Sequence, residues 1–184
     1  MKATIIIQAR MESTRLPQKV MMKILGKPLI ELQIERLKHC KNVDKIIVAT
    51  SKNKSNDILC EFLNKIGIPI YVGDEEDVLK RYYFAAKKIN AKNIVRLTAD
   101  CPLIDPVIVD TYIQTFFNQN LDYIYPDLSF AEGLDTEVFT FQALEIAYNC
   151  AKRESEREHV TQYFHNNKEK FKILRLKNIS NDSK

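Results

Sequence analysis

Short β-branched runs recur along the chain, at residues 4–7 (TIII), 46–50 (IIVAT), 68–72 (IPIYV), 94–98 (IVRLT) and 123–125 (YIY), and they are apolar at successive positions rather than alternate ones. Strands buried on both faces read this way, so the runs predict a sheet covered by helices on each side. Between them the apolar spacing turns helical. Ile30, Ile34 and Leu37 share one face, as do Leu59, Phe62, Leu63 and Ile66, then Leu79, Tyr82, Tyr83 and Ala86, then Val109, Tyr112, Ile113 and Phe116. Asp105 followed by Pro106 reads as an N-cap and first helical residue. Gly67, after Ile66, stands where a helix end takes a left-handed residue. Further strands are predicted over residues 136–139 and 171–176, flanking helices over about 141–152 and 156–167. Alternating strands and helices imply an α/β fold with a mostly parallel sheet and right-handed crossovers. Ligands of such sheets bind beyond the carboxyl ends of the strands, which singles out the residues that follow each run.

Composition narrows the classes. The chain has 184 residues, 45% of them hydrophobic and 28% charged, with no repeat, low-complexity tract or linker, and reads as one soluble domain. Its net charge of +4 is localised. Between residues 10 and 27 lie Arg10, Arg15, Lys19, Lys23 and Lys27 against Glu12 alone, leaving 23 cations and 23 anions elsewhere. A basic patch this confined suits a small anionic ligand and argues against nucleic acid. No apolar run approaches the roughly 18 residues that a membrane span needs, and MKATIII lacks the features of a signal peptide, so the expectation is a cytoplasmic protein without membrane association. Cys40, Cys60, Cys101 and Cys150 are scattered, and His39, His159 and His165 have no metal-ligand spacing; reduced, mostly buried thiols are expected. With only Gly26, Gly67, Gly73 and Gly133, neither GxGxxG nor GxxxxGK[ST] exists.

The first strand runs into Gln8-Ala9-Arg10-Met11-Glu12-Ser13-Thr14-Arg15-Leu16-Pro17-Gln18-Lys19. Guanidinium forks and a lysine point charge suit phosphate oxygens, so Arg10, Arg15 and Lys19 read either as a polyphosphate loop or as a solvated basic loop. Asp100, two residues beyond Thr98, falls at the same sheet edge. A carboxylate there either holds Mg²⁺, which takes one or two carboxylates plus phosphate oxygens and water, or bonds turn amides. Asp135 and Glu137, at spacing two on an extended segment, face one side and read as ligands for sugar hydroxyls or a metal, or as solvated acids. Residues 75–77 (EED) and 154–158 (ESERE) read by default as acidic helix starts.

In order along the chain, IIIQARMESTRLPQK, GKPLIE, IIVATS, GDEEDVLKRYY, VRLTADCPLIDP, GLDTEVF and EREHVT resemble the cytidylyltransferase-type family related to spore coat polysaccharide biosynthesis protein F. That family is similar to the enzymes activating sialic acid and 3-deoxy-octulosonate as CMP-sugars. The likeness runs from about residue 3 to 161. It implies a nucleotidyltransferase fold, glycosyltransferase-A-like and Rossmann-like, and a Mg²⁺-dependent transfer from CTP to a sugar of acidic or nonulosonic type for surface or spore-coat polysaccharide. Arg10, Ser13, Arg15 and Lys19 match its phosphate loop, with Gln8 and Ala9 along the nucleotide and Asp77 and Arg81 in the region lining the nucleotide pocket. Asp100 matches the Mg²⁺-binding carboxylate; Asp135, Glu137 and His159 fall on the acceptor side. Arg10, Lys19 and Asp100 would therefore carry the chemistry. A glycosyltransferase of the same fold and a non-catalytic nucleotide-binding protein are the alternatives. Related sugar-activating enzymes are commonly dimers, so a homodimer is an open reading. Family members usually continue past a strand like residues 171–176 into a Thr-x-Asp-x-x-x-Asp segment that helps complete the metal site. This chain ends at Lys184 without it, so it is read as either truncated or built around Asp100 and Asp135 alone.

Overall fold

The computed structural model describes residues 1–12 and 16–178. Seven strands form one sheet in the order β5-β4-β1-β6-β8-β7-β9. They are β1 (Ala3–Gln8), β4 (Val43–Ser51), β5 (Ile70–Gly73), β6 (Asn93–Thr98), β7 (Tyr123–Pro126), β8 (Glu137–Thr140) and β9 (Ile173–Leu176). The pairings β5/β4, β4/β1, β1/β6 and β7/β9 are parallel, and only β8 runs against its neighbours β6 and β7. This is the mostly parallel, helix-flanked α/β sheet that the apolar runs predict, and all seven predicted strands are present.

Ile5, Ile6 and Ile7 are all wholly buried because both faces of the sheet are covered. On one side Ile5, Ile7, Val95 and Leu97 pack with residues of α1 (Leu29–Leu37), α2 (Asp57–Lys65) and α4 (Pro106–Asn118). On the other, Ile6, Ile94, Tyr123 and Phe139 pack with residues of α3 (Val78–Lys88), α5 (Phe141–Cys150) and α7 (Gln162–Asn166). Local caps follow the sequence. Asp105 accepts the Val107 N–H at 2.8 Å, and Gly67 is left-handed at φ 71° beyond α2.

Two expectations need correction, and one element is additional. The helix expected over 156–167 is two short helices, α6 (Glu154–Glu158) and α7, because the chain extends at His159 (φ −104°, ψ 99°) and the wholly buried Val160 seats in the core. A small hairpin, β2 (Lys23–Ile24) and β3 (Lys27–Pro28), was not foreseen. Its two turn residues, Leu25 at φ 51° and Gly26 at φ 83°, are both left-handed, as a two-residue hairpin turn matching strand twist requires. Leucine there gives no turn signal. Finally, the thiols are free but none is fully buried: Cys40, Cys60 and Cys101 are partly exposed and Cys150 is exposed.

Candidate functional site

From β1 the chain first builds outward on one side, through β4 to β5, and then crosses to β6 on the other. The carboxyl ends of β1 and β6 therefore border the crevice where strand order reverses, the expected ligand position in an open α/β sheet. Gln8 pairs with Thr98 at that edge, and the Ala99 N–H extends the pairing to the Gln8 carbonyl at 2.9 Å. A cleft of about 690 Å³ opens there, lined by Gln8, Ala9, Arg10 and Lys19 from the chain after β1, by Thr98 and Asp100 at the β6 end, and by Glu132 and Asp135 from the segment before β8.

Lys19 and Asp100 approach each other although 81 residues separate them: Lys19 Nζ donates to Asp100 Oδ2 at 3.4 Å. The Thr98 hydroxyl donates to Asp100 Oδ1 at 2.6 Å. Partial burial opposes ionisation of Asp100, but the Thr98 hydrogen bond and the Lys19 charge prevail and hold its carboxyl below the usual range. Asp135 behaves oppositely. Desolvation, then the negative charges of Glu137, Asp100 and Glu132, push its carboxyl up. The carboxyls of Asp100 and Asp135 thus shift in opposite directions. No cluster of three or more His, Cys, Asp or Glu side chains suited to a metal occurs among the described residues. Asp100 and Asp135 line the same cleft, and two carboxylates, both hard oxygen donors, fit a divalent cation that completes its shell with phosphate oxygens and water.

The remaining expected site residues fall elsewhere. Ser13 and Arg15 lie outside the described residues. Asp77 caps α3, accepting the Lys80 N–H at 2.8 Å, and pairs with Arg157, whose Nε donates at 2.9 Å. Arg81 is 2% exposed; its Nη1 donates to the Asp74 and Glu75 carbonyls at 2.6 and 3.3 Å. Neither is among the residues lining the cleft; Asp77 and Arg81 bond instead at the β5–α3 connection. Glu137 does not share the cleft with Asp135. It forms a shielded ion pair with its strand partner Arg96 and accepts from the Tyr123 hydroxyl. His159 is exposed at the end of α6 and is not among the residues lining the cleft. Conversely, Glu12, Cys101 and Glu132 line the cleft unforeseen, as does the Thr98 side chain. Thr98 had a signal, standing at a strand end two residues before Asp100; Glu132, beside a glycine turn, had none.

A family model described as "Cytidylyltransferase" matches residues 4–183. An uncharacterized protein of Methanocaldococcus jannaschii is 41% identical over 96% of this chain and 72% of its own length. The spore coat polysaccharide biosynthesis protein SpsF of Bacillus subtilis is 35% identical over 91% of this chain and 72% of its own. A solved structure of a cytidylyltransferase from Leptospira borgpetersenii superposes with a TM-score of 0.93 at 36% identity, covering 100% of this chain and 79% of that one.

Proposed function

Because the chain belongs to the cytidylyltransferase family, we propose that its cleft binds CTP and a sugar and transfers the cytidylyl group between them. The observation carrying this reading is the meeting of Lys19 with Asp100 at the β1/β6 crevice, inside a cleft that Arg10 and Asp135 also line. Cations and carboxylates lining one cleft suit a triphosphate together with a divalent ion.

A sugar hydroxyl would attack the α-phosphorus of CTP, releasing its proton to water and forming the new P–O bond as the bond to the oxygen bridging the α- and β-phosphates breaks and pyrophosphate leaves. Arg10 and Lys19 offset the charge gathering on the departing oxygens, and the cleft walls align the reacting groups. Asp100 and Asp135 would hold Mg²⁺, which when bound adds charge stabilisation at the phosphate oxygens. Thr98 fixes the orientation of the Asp100 carboxylate through its hydroxyl. No side-chain nucleophile is required. An acidic or nonulosonic sugar is the acceptor class favoured by the resemblance of the sequence segments to the CMP-sugar enzymes, and surface polysaccharide is the destination favoured by the spore coat relative.

Pyrophosphate release from CTP, measured with a panel of acidic and neutral sugars with and without Mg²⁺, tests the proposal. Sugar-dependent and Mg²⁺-dependent release supports it. CTP binding without release for any sugar would leave a nucleotide-binding protein, and UDP release from a UDP-sugar would make it a glycosyltransferase.

A further inference from the structure

One buried side chain outside the cleft contacts the segment that carries the cleft's cations. Asn56, in the turn between β4 and α2, is 2% exposed. Its Oδ1 accepts the Met11 backbone N–H at 2.8 Å, and its Nδ2 donates to Ser51 Oγ at 2.8 Å and to the Ser51 carbonyl at 3.3 Å. Three bonds to one amide leave its side chain a single orientation. The other backbone polar group of Met11 is engaged too: its carbonyl accepts the Gln18 N–H at 2.7 Å. The chain that leaves at Met11 therefore returns to it at Gln18, which turns the backbone at φ 60°. Arg10 directly precedes this closed neck and Lys19 directly follows it, and both line the cleft. The anchor is itself braced. Asn53 caps the turn by accepting the Ser55 N–H at 3.0 Å, while its Nδ2 donates to Glu75 Oε1 at 3.2 Å.

We propose that Asn56 is a positioning residue that pins the Met11–Gln18 neck to the end of β4 and so sets the separation of Arg10 and Lys19. The inference rests on the reading of those two cations as phosphate ligands. Without the Asn56 amide the buried Met11 N–H loses its acceptor, and relief comes by displacing the neck toward water. The two cations then diverge from a geometry matched to adjacent phosphates.

The test measures binding of CTP, inorganic pyrophosphate and CMP to wild-type protein, Asn56→Ala and Asn56→Asp, together with hydrogen exchange at the Met11 amide in the wild type. Asn56→Ala is expected to weaken CTP and pyrophosphate about tenfold, the scale of one lost hydrogen bond plus misplacement, with CMP changed less than about twofold. Asn56→Asp, which retains the acceptor for Met11, should recover part of the loss, and the wild-type Met11 amide should be strongly protected. Unchanged CTP and pyrophosphate affinity in Asn56→Ala, an equal fall for CMP, or fast Met11 exchange would each overturn the inference. Should Asn56→Ala fail to fold, Asn56→Asp and the Met11 exchange decide the matter. Wild-type protein binding neither CTP nor pyrophosphate would instead remove the phosphate reading of Arg10 and Lys19.

Discussion

Glu137→Gln is the perturbation whose size the structure fixes most directly. Glu137 and Arg96 are register partners on β8 and β6, with side chains 12% and 22% exposed. Glu137 also accepts from the Tyr123 hydroxyl, which lies 3.2 Å from His165 Nε2. Burial opposes the charge on Glu137, but Arg96 and the Tyr123 hydrogen bond prevail and keep its carboxyl ionised below the ordinary value of 4.5. Glutamine preserves the shape and removes the charge, leaving the Arg96 guanidinium shielded and uncompensated. Breaking such a pair from one side costs about 3 kcal/mol, at the low end of the buried range because both groups retain some solvent. For a chain of this length that is a fall of roughly 6–12 °C in melting temperature. Urea denaturation of wild type, Glu137→Gln, Arg96→Met and the double variant measures it. The double variant should regain part of the sum of the single losses, since neither lone charge remains. The sign with pH follows from the lowered carboxyl. Its contribution is full above 4.5 and is lost as pH falls through the folded value, so wild type and Glu137→Gln should converge in acid. A loss below about 1 kcal/mol at neutral pH, the level of a surface pair, would refute the reasoning.

Asp100→Asn should abolish Mg²⁺-dependent pyrophosphate release while CTP binding, followed by titration, is partly retained; intact turnover would remove Asp100 from the metal site. Asp135 has its carboxyl raised by burial and three neighbouring acids, so it favours the folded state at low pH and opposes it once ionised. Asp135→Asn should therefore raise the neutral-pH unfolding free energy slightly, by at most about 0.5 kcal/mol after solvent screening, while lowering turnover. Gly73→Ala places a Cβ 2.7 Å from Tyr71 Cε1 and 2.9 Å from Arg81 Cγ. Both side chains must move, and thermal melting should report a loss of about 1–3 kcal/mol.

The strands were legible because a sheet buried on both faces writes itself as unbroken apolar runs, and the cap at Asp105 was legible because its partner is two residues away. What decides the role of each carboxylate is not local. Asp77 looks like any helix-start acid until Arg157, 80 residues on, pairs with it. Glu137 and Asp135 share a strand face in the sequence, yet Arg96, 41 residues from Glu137, draws only Glu137 into a shielded pair and leaves Asp135 to the cleft. Asn56 gave no signal at all, since its acceptor role exists only once Met11, 45 residues earlier, is folded against it. The basic loop was the exception, because charge concentration needs no partner to be seen. Its consequence at the site was nonetheless fixed non-locally, when parallel pairing of β1 with β6 set Gln8 beside Thr98 and so carried Lys19 to Asp100. A slip of this register by one residue would leave composition and charge untouched and still separate the cation from the carboxylate, since each strand residue would then face the opposite side of the sheet.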